Sequence, residues 1–125
     1  MNVKSDTKEK FCVITPVESN FADNLAAEWE QLLTEYAQKN PPHLVINFSE
    51  VMQIGEKAAT TTARMQQFFY ESNLSCVLCC LQPEVESVFD QLELLEVMNV
   101  TPTESEAWDI VQMEEIEREI LGGEE

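Results

Sequence analysis

The chain has 125 residues, the length of a single domain. Its 24 acidic and 7 basic residues give a formal net charge of −17. This charge makes nucleic acid and anionic lipid poor partners, because both are bound through Lys and Arg side chains. Three basic residues lie between Phe11 and Met113, so we expect no hidden basic patch: Lys39, Lys57 and Arg64.

The sequence contains no run close to the roughly 20 apolar residues that a membrane-spanning helix requires. Its first ten residues include no apolar segment of signal-peptide length. Without such a signal, the four cysteines favour free thiols in a reducing compartment over a disulfide framework. We therefore expect a cytoplasmic protein with no direct membrane insertion.

Several short apolar runs predict the strands of one sheet. Residues 11–17 are rich in β-branched side chains, and Pro16 places this strand near a sheet edge. Residues 2–5 offer it a short partner strand. The nearly continuous apolar runs 44–48 and 74–81 indicate strands covered on both faces. A further short strand is predicted at residues 97–100.

Helical periodicity separates these strands. Residues 22–38 carry apolar side chains along one face, and a second helix is predicted beyond Gly55, to about Glu71. Pro83 suits the first turn of a third helix. Thr103 is predicted to cap the last helix, with Glu106 as its capping-box partner. The apolar face of the first helix comprises Leu25, Trp29, Leu32, Leu33 and Tyr36.

Alternating strands and helices indicate an α/β fold with parallel βαβ units. We expect one mixed sheet of four to five strands with about four helices, and an amino-terminal strand added antiparallel at one side. Residues 1–113 would form the domain. Residues 114–125, with six Glu and one Arg, would form an acidic helical extension and tail.

The order of elements from residue 11 to residue 112 resembles the STAS family, the sulphate transporter and anti-sigma factor antagonist domains. Family members have a hydrophobic strand, a Leu-Ser-x-Val-type turn, and an aliphatic residue before Asp-Ser-Ser-Gly at a helix start. Here the strand is 44–48, the turn is Ser49-Glu50-Val51, and the aliphatic residue is Ile54. Val100-Thr101-Pro102-Thr103 before the last helix also fits.

The chain departs from the family at the helix start, where it has Gly55-Glu56-Lys57-Ala58. In the partner-switching members that it resembles, an anti-sigma kinase phosphorylates a serine at this position. Neither Glu56 nor Lys57 offers the hydroxyl group that such a kinase needs. The resemblance therefore implies a divergent STAS protein that is not phosphorylated at the usual position.

The resemblance implies a protein-interaction module, anti-sigma factor antagonist-like, that binds an anti-sigma factor or a serine-kinase-type regulator. Two alternatives stay open: a cytoplasmic STAS subunit of a membrane transporter complex, and a STAS domain that binds a small ligand. The implied partner-binding residues surround the start of the second helix: Ser19, Asn20, Gly55, Glu56, Lys57 and Thr60.

Glu56 has two interpretations. As in many helices, its carboxylate would stabilise the helix by about 0.3–1 kcal/mol through attraction to the positive end of the helix dipole. Alternatively, it places a fixed negative charge where the family carries a phosphate, although a single carboxylate imitates a phosphoserine only in part. Thr60, Thr61 and Thr62 are potential phosphoacceptors, but in a helix their hydroxyls more often bond to carbonyls one turn earlier.

The cysteines and the single histidine do not form a recognisable catalytic or metal site in the sequence. On a strand, Cys76 and Cys80 would share one face and Cys79 the other, so the three thiols would not converge on zinc. His43 lies at the start of another strand. We therefore expect core cysteines, no cofactor, no metal and no enzymatic activity.

The last helix carries a second apolar strip beyond the residues that would dock on the sheet. Ala107, Ile110 and Val111 suit docking, whereas the strip is rotated from them and bordered by glutamates. It would either pack over a neighbouring face of the same domain or form a dimer or partner contact. The strip consists of Met113, Ile116 and Ile120.

Overall fold

The computed structural model describes residues 1–122, with the strands Leu44–Asn47 and Cys76–Cys79 buried at the middle of the main sheet. The strands are β1 Val3–Thr7, β2 Cys12–Pro16, β3 Asn20–Phe21, β4 Leu44–Asn47, β5 Gln53–Ile54, β6 Cys76–Cys79 and β7 Val100–Thr101. The helices are α1 Ala26–Ala37, α2 Glu56–Glu71, α3 Pro83–Gln91 and α4 Glu104–Gly122. Single turns of 3-10 helix precede α1 and β7. No helix within residues 1–122 has the length and apolar character needed to cross a lipid bilayer.

The main sheet has five strands in the order β1-β2-β4-β6-β7. β1 pairs antiparallel with β2, and the remaining neighbours pair parallel. The predicted mixed sheet with an antiparallel amino-terminal strand is thus confirmed. β3 and β5 form a separate parallel pair that was not predicted from the sequence.

The two faces of the sheet build two apolar clusters. Leu44 and Ile46 of β4 face the larger cluster, which contains aromatic rings from α1 and α2, among them Trp29 and Phe69. Val45, between them, faces the smaller cluster, which α4 covers with Ala107 and Val111. This alternation follows from the two-residue period of a strand and explains why β4 reads as a continuous apolar run.

The predicted helix signals are found in the structure. α1 buries Trp29, Leu33 and Tyr36 on the expected face. Pro83 is in the first turn of α3. The hydroxyl of Thr103 accepts a hydrogen bond from the backbone N–H of Glu106 at 3.3 Å, so it caps α4 as predicted.

The predicted strand at residues 97–100 is displaced. Leu95–Val97 forms a 3-10 turn, and the strand is Val100–Thr101. The side chain of Gln66 holds this segment, since its amide nitrogen donates to the carbonyls of Cys76 and Asn99 at 2.9 Å each. Its amide oxygen accepts the N–H of Asn99 at 2.8 Å. A contact between distant residues therefore sets where the strand begins.

The arrangement of the cysteines differs from the prediction in one respect. Cys76 faces the larger cluster and Cys79 the smaller one, as strand alternation requires. Cys80 packs beside the same smaller cluster as Cys79, not on the face of Cys76. The reason is that Cys80 has a left-handed backbone, with φ of 63°, which ends the strand. Burial raises the pKa of the Cys76 and Cys79 thiols.

Candidate functional site

The short β3–β5 pair joins the two segments that precede α1 and α2. Asn20 is in register with Gln53, and the carbonyl of Ser19 accepts the N–H groups of Met52 at 2.8 Å and Gln53 at 3.0 Å. The carbonyl of Phe21 accepts the N–H of Gly55 at 2.9 Å. Residues 33 or 34 positions apart along the chain are therefore fixed side by side just before α2.

The start of α2 is capped by a residue from the other segment. Gly55 occupies the N-cap position but has no side chain to satisfy the free N–H groups of the first turn. Asp23 supplies the acceptor: its Oδ1 lies 2.9 Å from the backbone nitrogen of Lys57 and 3.2 Å from that of Ala58. A carboxylate at this end also interacts favourably with the helix dipole.

The contact with Asp23, and not the backbone conformation, requires a glycine at position 55. Its φ of −80° is accessible to any residue. A Cβ atom at position 55 would lie 2.1 Å from Oδ1 of Asp23, which leaves no room for a side chain. The role of Asp23 is not evident in the sequence, because an acidic residue before α1 resembles a cap for its own helix. The one available signal was an isolated glycine at a helix start.

The sequence-predicted partner residues lie around this capped helix start. Ser19, Asn20, Glu56, Lys57 and Thr60 are exposed, and Gly55 is half-buried. We call these six residues the α2 entry surface. Because Asp23 caps the N–H groups of Lys57 and Ala58, the exposed Glu56 carboxylate is not needed as the cap, although it still lies in the first turn near the helix dipole.

The three threonines of α2 have different surroundings. Thr62 is buried, donates its hydroxyl hydrogen to the carbonyl of Ala58 at 2.9 Å, and accepts the indole N–H of Trp29 at 2.9 Å. Thr61 is also buried. Thr60 faces outward and borders an open groove of about 790 Å³ between α2 and residues 94–99. Of the three, the exposed hydroxyl group is that of Thr60.

His43 lies away from the α2 entry surface, at the start of β4. Its Nδ1 accepts the backbone N–H of Ser75 at 3.1 Å, and its Nε2 is 2.6 Å from a carboxylate oxygen of Glu115. Burial lowers the pKa of His43, against the opposing attraction of Glu115. Within residues 1–122 no three His, Cys, Asp or Glu side chains come together as a metal site would require.

The apolar strip of α4 is separate from the α2 entry surface. Met113, Ile116 and Ile120 are 62%, 53% and 60% exposed. They follow the part of α4 that packs on the smaller cluster, and α4 continues as a helix to Gly122. Residues 123–125 of the predicted tail lie outside the described residues.

Comparison with solved structures identifies the fold. A candidate anti-sigma factor antagonist from Thermotoga maritima superposes with a TM-score of 0.77 at 16% identity, covering 88% of this chain and 94% of that chain. An anti-sigma-factor antagonist (STAS) domain protein from Planctomyces limnophilus gives 0.74 at 17% identity, covering 88% and 97%.

A third similar structure is the murine Solute Carrier 26 family member A9 anion transporter, with a TM-score of 0.70 at 12% identity. The match covers 86% of this chain but only 18% of the transporter. No curated protein sequence matches the chain. The family model for the STAS domain matches residues 2–107. This protein therefore belongs to the STAS domain family.

Proposed function

We propose that this protein is a non-enzymatic STAS interaction module, like the anti-sigma factor antagonists, and that its α2 entry surface binds an anti-sigma factor or a serine-kinase-type regulator. The observation that carries the proposal is the Asp23 cap. It fixes the β3–β5 pair and the first turn of α2 as one surface, with Asn20, Glu56 and Lys57 exposed together. A preformed surface reduces the entropy cost of binding a protein partner.

The same surface supports a constitutive interaction without phosphorylation at the usual position. Residues 54–58 are Ile, Gly, Glu, Lys and Ala, and none carries a hydroxyl group. The carboxylate of Glu56 is part of the encoded side chain, unlike a phosphate that a kinase adds and a phosphatase removes. We therefore expect the complex to be controlled elsewhere or to persist without switching.

The test is affinity capture from native cytoplasmic lysate with the full chain, followed by mass spectrometry and a binding measurement with the recovered regulator. Glu56→Lys should weaken that binding at least 10-fold. Glu35→Lys is the matched control, because Glu35 is equally exposed but lies near the carboxyl end of α1. Equal affinities for the two variants would contradict the assignment of the surface.

A kinase assay tests the second part of the proposal. Incubation of the chain with the recovered kinase and ATP should add no phosphate to residues 54–58. Peptide mapping must include Thr60, the exposed threonine next to this segment. Labelling confined to Thr60 would show that the phosphorylation site of this chain lies about one helical turn beyond the usual position.

A transporter-associated role is the second candidate function. It is favoured by the similarity to the STAS part of the murine Solute Carrier 26 anion transporter. In that case the cytoplasmic domain would co-purify in a fixed ratio with a permease or an ATPase. Recovery of such a complex in place of a kinase-like regulator would favour this role.

A small-ligand role is favoured by the open groove beside Thr60. Binding of a ligand there would raise the melting temperature of the chain, because a ligand that binds the folded state stabilises it by mass action. Screening by thermal shift should include uncharged compounds, since the net charge of −17 disfavours anions.

A further inference from the structure

The second half of α4 is held against the domain by polar contacts. Glu114 accepts hydrogen bonds from the hydroxyls of Tyr70 and Ser75. Glu115 pairs with His43, and Arg118 donates to the Ser75 hydroxyl at 2.9 Å. These contacts continue the docking face that Ala107 and Val111 begin, so one side of α4 is held against the domain as far as Arg118.

The opposite side of α4 carries the apolar strip. At 100° per residue, Met113, Ile116 and Ile120 lie about half a turn away from Val111, Glu114 and Arg118. Because the inner contacts fix the rotation of the helix, the strip cannot turn toward the sheet. All three side chains are more than half exposed. The structure therefore contradicts the alternative in which this strip packs over a neighbouring face of residues 1–122.

The charges around the strip select the kind of partner. Asp109, Glu117 and Glu119 are exposed beside it, and the one basic residue of α4, Arg118, lies on the inner side. Two copies of the chain meeting through this strip would place these carboxylates against each other, which is unfavourable. A partner with Lys or Arg beside its own apolar residues would complement both the apolar row and the negative rim.

We propose that the α4 strip, Met113, Ile116 and Ile120, binds an amphipathic helix of another protein whose apolar row is flanked by Lys or Arg. The strip spans about two helical turns, so the contact is small and the affinity is expected in the micromolar range. This proposal does not depend on the function proposed for the α2 entry surface.

The position of the strip allows both surfaces to be occupied together. The contacts that hold α4 involve His43 and Ser75, which precede β4 and β6. The α2 entry surface follows β4. Because β4 and β6 are parallel, these positions lie at opposite ends of the sheet. The protein would then connect a regulator at one end to a basic helix at the other.

The test uses the full chain and two synthetic helical peptides that share a row of leucines, one flanked by lysines and the other by glutamates. Fluorescence anisotropy should detect binding of the lysine-flanked peptide alone. Ile116→Gln should weaken that binding at least 10-fold. Val97→Gln is the matched control, because Val97 is 80% exposed and lies outside α4. If the two variants bind the lysine-flanked peptide equally, the net charge of the chain alone attracts the peptide. That result would overturn the proposal.

Two further measurements distinguish the remaining outcomes. Glu56→Lys should leave peptide binding unchanged, so failure at the α4 strip is separable from failure at the α2 entry surface. Sedimentation equilibrium of the chain alone should show a monomer at micromolar concentration. A dimer that Ile116→Gln abolishes would overturn the proposal in favour of a second copy of the chain as the occupant.

Discussion

A carboxylate oxygen of Asp23 lies only 2.1 Å from the position that the Cβ atom of an alanine at residue 55 would occupy. The glycine and the aspartate therefore form one structural unit, although 32 positions separate them in the sequence. Through this unit, the segment before α1 determines how α2 begins. Substitution of either residue should act on the same two hydrogen bonds.

Asp23→Ala and Gly55→Ala should each destabilise the protein by about 0.5–2 kcal/mol, the usual effect of losing a helix N-cap. The double variant should lose far less than the sum, because an alanine at position 55 cannot displace a carboxylate that is already absent. Urea unfolding of the four proteins gives the double-mutant cycle. Additive losses would show that the two residues act independently.

Thr62→Val should destabilise the protein by about 1–3 kcal/mol, because it leaves the buried indole N–H of Trp29 without its acceptor at 2.9 Å. Valine has nearly the same shape, so the loss reports the hydrogen bond more than the packing. Thr60→Val serves as the control, since Thr60 is exposed and should change the free energy of unfolding by less than about 0.5 kcal/mol. Similar losses in both variants would argue against the Trp29 bond.

Below about pH 6.5, the free energy of unfolding should decrease as the pH is lowered, because of His43. The fold lowers the pKa of this imidazole mainly by burial; Arg118 acts in the same direction, and Glu115 and Glu114 oppose the shift. In the folded protein Nδ1 also accepts the N–H of Ser75, so protonation there would break that bond. The unfolded chain binds the proton more readily, and the stability present above pH 6.5 is lost as the pH decreases.

The measurement for this prediction is the difference between the wild type and His43→Gln in urea unfolding at pH 7 and pH 5. Glutamine preserves one acceptor and one donor but does not titrate. The wild type should lose up to about 2 kcal/mol more than the variant, the full cost of keeping an ordinary imidazole neutral at pH 5. Parallel pH profiles would exclude His43 as the source.

Native thiol labelling should modify Cys80 first. It is partly exposed, whereas Cys12, Cys76 and Cys79 are buried. Burial also raises the pKa of Cys76 and Cys79, which reduces the fraction of reactive thiolate. Mass spectrometry after brief treatment with iodoacetamide should find one adduct per chain, and Cys80→Ser should remove it. Early labelling of Cys76 would show that β6 is more accessible than the structure indicates.

The parts of the fold that were predicted correctly have a strong local pattern. β4 and β6 are buried on both faces, so their apolar runs are visible without knowledge of their neighbours. Trp29, Leu33 and Tyr36 follow the helical period because α1 packs on one face. The side chain of Thr103 caps α4 within one turn, so its hydrogen bond also depends on neighbours in the sequence.

The sequence by itself determined that residues 54–58 carry no phosphoacceptor and that glutamates border the apolar strip of the last helix. Only the tertiary structure decided that Asp23 caps α2 and that His43 and Ser75 hold α4 in one rotation. These contacts join residues more than 30 positions apart, and single polar groups at such distances leave no periodic signal. Their partners become evident only when the strands have brought them together.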